Sequence, residues 1–300
     1  MAQTLETLSR RTDTLGSIRS IVHTMKTMSA INAVPYEHAA RSIESYHQTV
    51  LDGLRAFVAK TGPVSVPDVA QAERLLVVFG SDHGLCGNYN EILAESARSE
   101  SLKAGSPARV LCVGARMGDA LGDQGIRPEF TFLPPASADG IGRLASDIVT
   151  RLDEIGGGDV HNRIAVTLVF TRRADKGQRE PEISQLLPLE PTLLSDSGAS
   201  GWHSRSLADY TMPPAPLFAA LLRNHIFASV FRASAEAMVT ENAARLALMQ
   251  QAEQAVDDRL EEVGGQFRLV RQDEITNELM DIIVGFEALK KPSVVHSSSS

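Results

Sequence analysis

Between Pro216 and Pro292 the chain holds no proline, and alanine, leucine and alternating charge fill most of that stretch. Such a composition favours helix at nearly every position. At ~1.5 Å rise per residue, about 75 residues make a rod on the order of 110 Å long. A chain of 300 residues folds into one large or two modest domains, and neither is wide enough to bury such a rod. The rod is expected to project, and a projecting rod is built to touch something else. Its alanine-rich part, from Ala228 to Ala255, would let a second helix backbone approach closely, while Gly264-Gly265 predicts a local soft spot. Each glycine in a helix interior costs about 1 kcal/mol against alanine.

Residues 1 to about 60 read as a second long helix. Leu5, Leu8, Thr12, Leu15, Ile18, Val22, Met25 and Ser29 recur at three- and four-residue steps, a narrow seam of the coiled-coil kind. Pro35 is expected to kink or briefly break this helix, since it removes one hydrogen bond and crowds the preceding turn. The stretch Thr61-Gly62-Pro63 to Pro67-Asp68 then punctuates a boundary.

The middle of the chain has another grammar. Arg74–Phe79, Arg109–Val113 and Ile164–Phe170 are short, continuous apolar runs of β type, with helix-like segments near Asn90–Lys103, Ala115–Leu121 and Ile141–Ile155. Strands alternating with helices imply a layered, Rossmann-like α/β domain with buried strands. Glu190–Ser206 is polar and Gly/Ser-rich, the pattern of a loop. The expected organisation is an N-terminal coiled-coil helix over 1–60, a central α/β domain over 70–190, a C-terminal coiled-coil helix over 207–290 and a disordered tail over 291–300. Two long helices at opposite ends of the sequence pack most economically as an antiparallel pair. Charge favours this modestly: residues 1–60 carry seven Lys/Arg against five Asp/Glu, and 207–291 carry eight against thirteen. An exposed ion pair is worth only about 0–1 kcal/mol, so seam burial must dominate.

Several function classes are disfavoured. A net charge of −8 with no basic run argues against nucleic-acid binding. No apolar run approaches the roughly 18 residues of a membrane span, so no lipid insertion is expected. Two cysteines far apart, Cys86 and Cys112, and an N-terminus without a signal-peptide core suggest a reduced, cytoplasmic compartment. The eight histidines show no metal-ligand spacing.

Gly80-Ser81-Asp82-His83-Gly84-Leu85-Cys86-Gly87-Asn88-Tyr89-Asn90 follows the first strand and opens a helix, where phosphate-binding loops sit. Its spacing is neither G-x-G-x-x-G nor a P-loop, so a tight structural turn is the better reading, with Asn88 or Asn90 near a helix cap. Cys86 with His83 lacks the orienting partner and cleft a thiol nucleophile requires. No catalytic constellation and no cofactor site emerge.

Three blocks resemble the gamma subunit of rotary F-type ATP synthases. Ser81-Asp82-His83-Gly84-Leu85-Cys86-Gly87 with Asn90 is similar to the family's S-D-x-G-L-C-G-x-x-N turn. Glu241-Asn242-Ala243-Ala244-Arg245 with Met249 and Ala252 is similar to its E-x-x-A-R helix. Arg271-Gln272, Ile275-Thr276, Glu278-Leu279, Ile282 and Gly285 are similar to its C-terminal R-Q-x-x-I-T-x-E-L block. Ile183 with Leu186-Leu187-Pro188, and Tyr210 before prolines, fit further family elements. The blocks span nearly the whole chain in family order.

The resemblance implies a non-catalytic shaft turning inside three alpha and three beta subunits, with the epsilon subunit and the membrane c-ring as further partners. It implies no cofactor and a peripheral place on the cytoplasmic face of a bacterial cell membrane. It further implies beta-subunit contacts at Arg271, Gln272, Thr276, Glu278 and Arg245, with Met25, Lys26 and Met28 on the facing N-terminal helix near the same level. Phe286 and Leu289 would form a rod-tip bearing. The turn motif is Asp82, Gly84, Leu85, Cys86, Gly87 and Asn90. The N-terminal block Ser20–Met28 departs from the family pattern, and Pro35 and Gly264-Gly265 fall where the family's helices run unbroken. That divergence resembles the alternate, sodium-linked N-type branch. The competing readings are a free-standing enzyme, which should bind nucleotide or substrate alone, and a non-rotary coiled-coil adaptor or scaffold, which should self-associate.

Overall fold

The computed structural model of the chain describes residues 4–64, 72–103, 108–157, 163–174, 179–194 and 209–290, with residues 288–290 as backbone only. The expected tail 291–300 and most of the expected loop 190–206 lie outside the described residues. In chain order the elements are α1 (Leu5–Thr61), β1 (Glu73–Phe79), α2 (Tyr89–Leu102), β2 (Arg109–Val113), α3 (Ala115–Asp123), β3 (Phe130–Phe132), α4 (Ile141–Gly156), β4 (Ile164–Arg173), β5 (Arg179–Leu187), the short α5 (Pro191–Leu194) and α6 (Pro214–Lys290).

The chain divides into two compact units, Thr27–Leu248 and Met1–Lys26 with Met249–Ser300. In the first, the α/β unit, the strand order is β3-β2-β1-β4-β5, with β5 antiparallel to β4 and all other neighbours parallel. Side chains alternate across β1. Leu76 and Val78 join Val110, Cys112, Leu93, Ala97, Met117 and Leu121 on the α2/α3 side. Leu75, Val77 and Phe79 join Leu168, Phe170 and, from α4, Leu144 and Ile148 on the other. That second face is also covered by Leu54, Phe57 and Val58 from α1 and by Ile226, Val230, Ala233 and Ala237 from α6. Burial on both faces is why these strands read as continuous apolar runs.

Within this unit α1 and α6 run antiparallel: Tyr36 packs in one cluster with Ala235 and Val239, His47 meets His225, and Lys60 pairs with Asp209. Alanines at 228, 233 and 235 are fully buried, so the helix backbones can lie close. α1 ends where Gly62 takes φ +82° and donates its N–H to the Val58 carbonyl at 2.9 Å, a left-handed cap that glycine adopts without strain.

Of the kink or break expected at Pro35, the break is absent. α1 runs unbroken through it. The carbonyl that loses its partner belongs to Ile31, and both residues lie on the exposed side of the helix, where water can satisfy it. Helix α6 likewise continues through Gly264-Gly265.

In the second, coiled-coil unit, Arg19 Nε meets Asp257 Oδ1 at 2.5 Å, His23 Nδ1 meets Glu253 Oε1 at 2.9 Å, and Lys26 also pairs with Glu253. Partner numbers fall on α6 as they rise on α1, so this pair too is antiparallel. Leu8, Val22, Met249 and Val263 are buried here.

Candidate interaction sites

The turn after β1 is built by close approach. Gly114 has φ +102°, and a Cβ there would sit 2.4 Å from the Ser81 carbonyl oxygen; a Cβ on Gly80 would sit 2.5 Å from Met117. Fully buried Ser81 donates its N–H to Asn90 Oδ1 at 3.0 Å, accepts from Asn90 Nδ2 at 2.8 Å and donates its hydroxyl to the His83 carbonyl at 2.9 Å. Asp82 accepts from the Ala115 N–H at the start of α3, at 3.1 Å. Leu85 and Gly87 reverse the chain at φ +64° and +68°. Asn88 is the residue before α2 but makes no side-chain cap, and Asn90 serves the turn instead.

This turn stands at the point where the strand order reverses, beyond the carboxyl end of β1. In open α/β sheets that is where ligands bind. Here the chain's own α6 occupies the place. Arg245 directs Nε to the Gly84 carbonyl and Nη2 to the His83 carbonyl, both at 3.4 Å, and holds Glu241 Oε1 at 2.6 Å. Tyr89 donates its hydroxyl to the Ala237 carbonyl at 3.0 Å, and Thr240 Oγ1 donates to the Thr171 carbonyl of β4 at 3.1 Å. Burial raises the Tyr89, Cys86 and Glu241 pKa values, with Arg245 pulling the last back down. Cys86 is therefore held as a thiol against Ser81 Oγ at 3.5 Å, the opposite of an activated nucleophile. Both cysteines are buried and free of disulfides, and burial pushes Cys112 up to about 12. Among the described residues, no group of three or more His, Cys, Asp or Glu converges as metal ligands, and no helix is long and apolar enough to cross a membrane.

Arg245 thus departs from the expectation of a beta-subunit contact. Its side chain is 11% exposed and committed to the turn, so the two sequence blocks around Ser81 and Glu241 form one internal lock. The hydrogen bonds from Tyr89 to the Ala237 carbonyl and from Thr240 to the Thr171 carbonyl were missed by sequence reasoning. The only signal for them was that Tyr89 and Thr240 each adjoin a motif.

In the coiled-coil unit, Arg271, Gln272, Thr276 and Glu278 are all exposed on α6. Met28 is exposed, while Met25 and Lys26 are half-buried. The expected common level of Met25 and Lys26 with Arg271 does not hold. Lys26 faces Glu253, and the antiparallel register set by Arg19–Asp257 brings the first turn of α1, not Met25, to the level of Arg271. Beyond that level every residue of α6 from Arg271 to Glu287 is exposed. At 3.6 residues per turn, Ile275, Leu279, Ile282 and Phe286 fall on one stripe. Arg271 and Glu278 flank it on one side, and Gln272 and Thr276 on the other. Phe286 is 67% exposed, and the Leu289 side chain lies outside the described residues.

The sequence profile of the family described as ATP synthase matches residues 4–289. The chain belongs to the ATP synthase family. Similar curated proteins include the ATP synthase gamma chain of Dinoroseobacter shibae, 28% identical over 300 residues, with 95% of this chain and 99% of that one covered. The ATP synthase gamma chain of Desulfosudis oleivorans is 28% identical over 302 residues, with 91% and 96% covered. Among solved structures, a chain of the Euglena gracilis mitochondrial ATP synthase assembly of OSCP, F1 and c-ring, in rotational state 3, shares the fold at TM-score 0.64 and 17% identity, with 99% of both chains covered. The gamma-subunit resemblance first carried by three blocks therefore extends over nearly all of the chain, and a gamma chain is one part of an enzyme complex.

Proposed function

We propose that this chain is the non-catalytic central-stalk rotor of an F-type ATP synthase, coupling ion-driven rotation to ATP synthesis or hydrolysis in the beta subunits. The observation that carries the reading is the exposed stripe Ile275-Leu279-Ile282-Phe286, rimmed by Arg271, Glu278, Gln272 and Thr276, on a length of α6 that α1 does not reach. An exposed apolar stripe with a polar rim is the design of a helix that docks against a partner. In this reading Arg271, Gln272, Thr276 and Glu278 touch the beta subunits, and Phe286 with Leu289 lies in an apolar bearing. Met25, Lys26 and Met28 touch beta at another level. The shaft is 1–60 with 207–290, and 70–190 meets the epsilon subunit and the c-ring. The complex sits on the cytoplasmic face of a bacterial membrane. Coupling requires only that the shaft make different contacts with different beta conformations. The divergent Ser20–Met28 block supports a place in the alternate N-type branch.

The test is ATPase turnover of alpha and beta subunits with and without this chain, beside Arg271→Ala/Gln272→Ala. The expected result is one copy per hexamer, turnover that depends on it, and a loss of roughly fivefold or more in the double variant, as for a contact worth about 1 kcal/mol. A chain that neither assembles nor changes turnover would hand the case to the adaptor reading.

A further inference from the structure

Between α1, α6 and β5, away from the turn and from the exposed stripe, lies a cavity of about 320 Å³ in the α/β unit. Its polar lining includes His47 of α1, His225, Ser229 and Arg232 of α6, Gln185 of β5 and Glu190 after it. His47 Nε2 stands 3.3 Å from His225 Nδ1 and 3.4 Å from Ser229 Oγ, with the two rings 5.2 Å apart. Arg232 approaches Glu44 at 3.7 Å and Glu182 at 3.9 Å, longer than a charge-assisted hydrogen bond, so its guanidinium retains donors for a closer acceptor. Its apolar lining includes Leu168 and Phe170 from β4, Leu186 from β5 and Leu51 from α1. A cavity of a few hundred Å³ lined by both apolar side chains and convergent polar groups is a common build of a small-molecule site.

We propose that this cavity binds a small organic anion with an apolar body, of the aryl or branched-chain carboxylate class. Its charged head sits between Arg232 and the His47–His225 pair, and its body lies on the leucine–phenylalanine wall. The proposal goes beyond the rotor reading and does not depend on it, since every residue named lies in the α/β unit.

Electrostatics give the site a signature. Burial, then His47 and Arg232, hold His225 down to about 4; burial, then Arg232, lower His47, with Glu44 opposing. The other charged groups around the pair are Asp52 and Arg55 on α1, Glu182 on β5 and Glu190 after it. A bound carboxylate opposes the field of Arg232 and favours imidazolium, so binding should take up protons. If one imidazole is raised by about 2 units, affinity rises about tenfold from pH 7 to pH 5, where an ordinary carboxylic acid is still ionised.

The experiment is calorimetric titration of the full chain with benzoate, benzamide and inorganic phosphate at both pH values, in buffers of different ionisation enthalpy. Expected are saturable benzoate binding about tenfold tighter at pH 5, net proton uptake, and weaker binding of benzamide and phosphate. Arg232→Gln should weaken benzoate about fivefold or more. The wild-type imidazole NMR signals of His47 and His225 should shift on benzoate addition, a readout that needs no variant. Absence of saturable binding, benzamide as good as benzoate, phosphate better than benzoate, indifference to Arg232→Gln, or unmoved imidazole signals would each overturn the proposal.

Discussion

Arg245 and Arg271 sit on one helix, in blocks that look equally motif-like, and the structure gives them opposite lives. Around Arg245 the helix is buried: Thr240, Glu241, Asn242 and Ala244 are all below a tenth exposed, and the guanidinium is spent on Glu241 and two carbonyls of the turn. From Arg271 to Glu287 every side of the helix is exposed. Helix propensity is high in both regions, so it separates nothing. What separates them is whether the chain itself supplies a cover. A polar residue inside a covered region is there to be satisfied; one beside an exposed apolar stripe is there to be met.

The sharpest way to break this contrast is to remove each arginine in turn. Arg245→Ala leaves Glu241 buried beside two carbonyls that have lost their donor, and should cost about 3 kcal/mol or more of chain stability. Arg271→Ala should stay within about 0.5 kcal/mol, as for exposed positions generally. Denaturant unfolding of the isolated chain measures both. Adding Glu241→Gln to Arg245→Met should recover much of the loss, because a neutral, packed pair removes the buried charge instead of stranding it. Equal losses at 245 and 271 would mean that the burial contrast carries no energetic meaning.

Legibility in the sequence follows the same line. The long helices and β1, β2 and β4 could be read because each is dictated by a strong local signal: unbroken helix formers, or apolar runs buried on two faces. The missed strands are the two sheet edges. Phe130–Phe132 is only three residues long, and Arg179–Leu187 carries Pro181, Glu180 and Glu182 on a half-exposed edge. Edge strands owe their place to a neighbour, and proline is tolerated there. The turn residues Asp82, Cys86 and Asn90 could be found as a motif, but their role could not, since Arg245, far along the chain, completes it. Nor could the level of Met25 and Lys26 along α6 be read, because register comes from pairs such as Lys26–Glu253 that no single helix encodes.

A second difference between the units is how they answer acid. His225 is buried at a pKa of about 4, against about 6.5 for an exposed histidine. On acidification the unfolded chain takes up a proton that the folded chain refuses, so stability present above about pH 6.5 is lost progressively toward pH 4. The loss from this group is up to about 3 kcal/mol. In the coiled-coil unit Glu253 is held below its ordinary value by Lys26 and then His23, so its contribution persists to lower pH and fades only as the carboxylate protonates. Melting temperature followed from pH 7.5 to 4 should fall in the wild type and flatten in His225→Gln. An unchanged slope in that variant would remove His225 from the account.

The smallest effect tests whether α6 in the coiled-coil unit is as indifferent to its own sequence as its exposure suggests. A Cβ at Gly264 would meet nothing closer than Arg268 Nη1 at 3.6 Å, and one at Gly265 nothing closer than Arg268 Nη2 at 4.0 Å, both ends of a flexible side chain. Steric objection is therefore absent, and only backbone entropy distinguishes glycine from alanine there. Gly264→Ala and Gly265→Ala should each stabilise the helix by about 0.5–1 kcal/mol, read as a rise in melting temperature and in hydrogen-exchange protection around Val263. The same substitution at Gly114, where φ is +102° and the Ser81 carbonyl lies 2.4 Å from the new Cβ, should instead destabilise the α/β unit. Opposite signs for one chemical change would set a helix that α1 covers only in part against a turn whose every atom is placed. A destabilisation at Gly264 or Gly265 would mean that the glycines are needed there, for bending or for a partner's close approach, and that this part of the shaft is as specified as the turn.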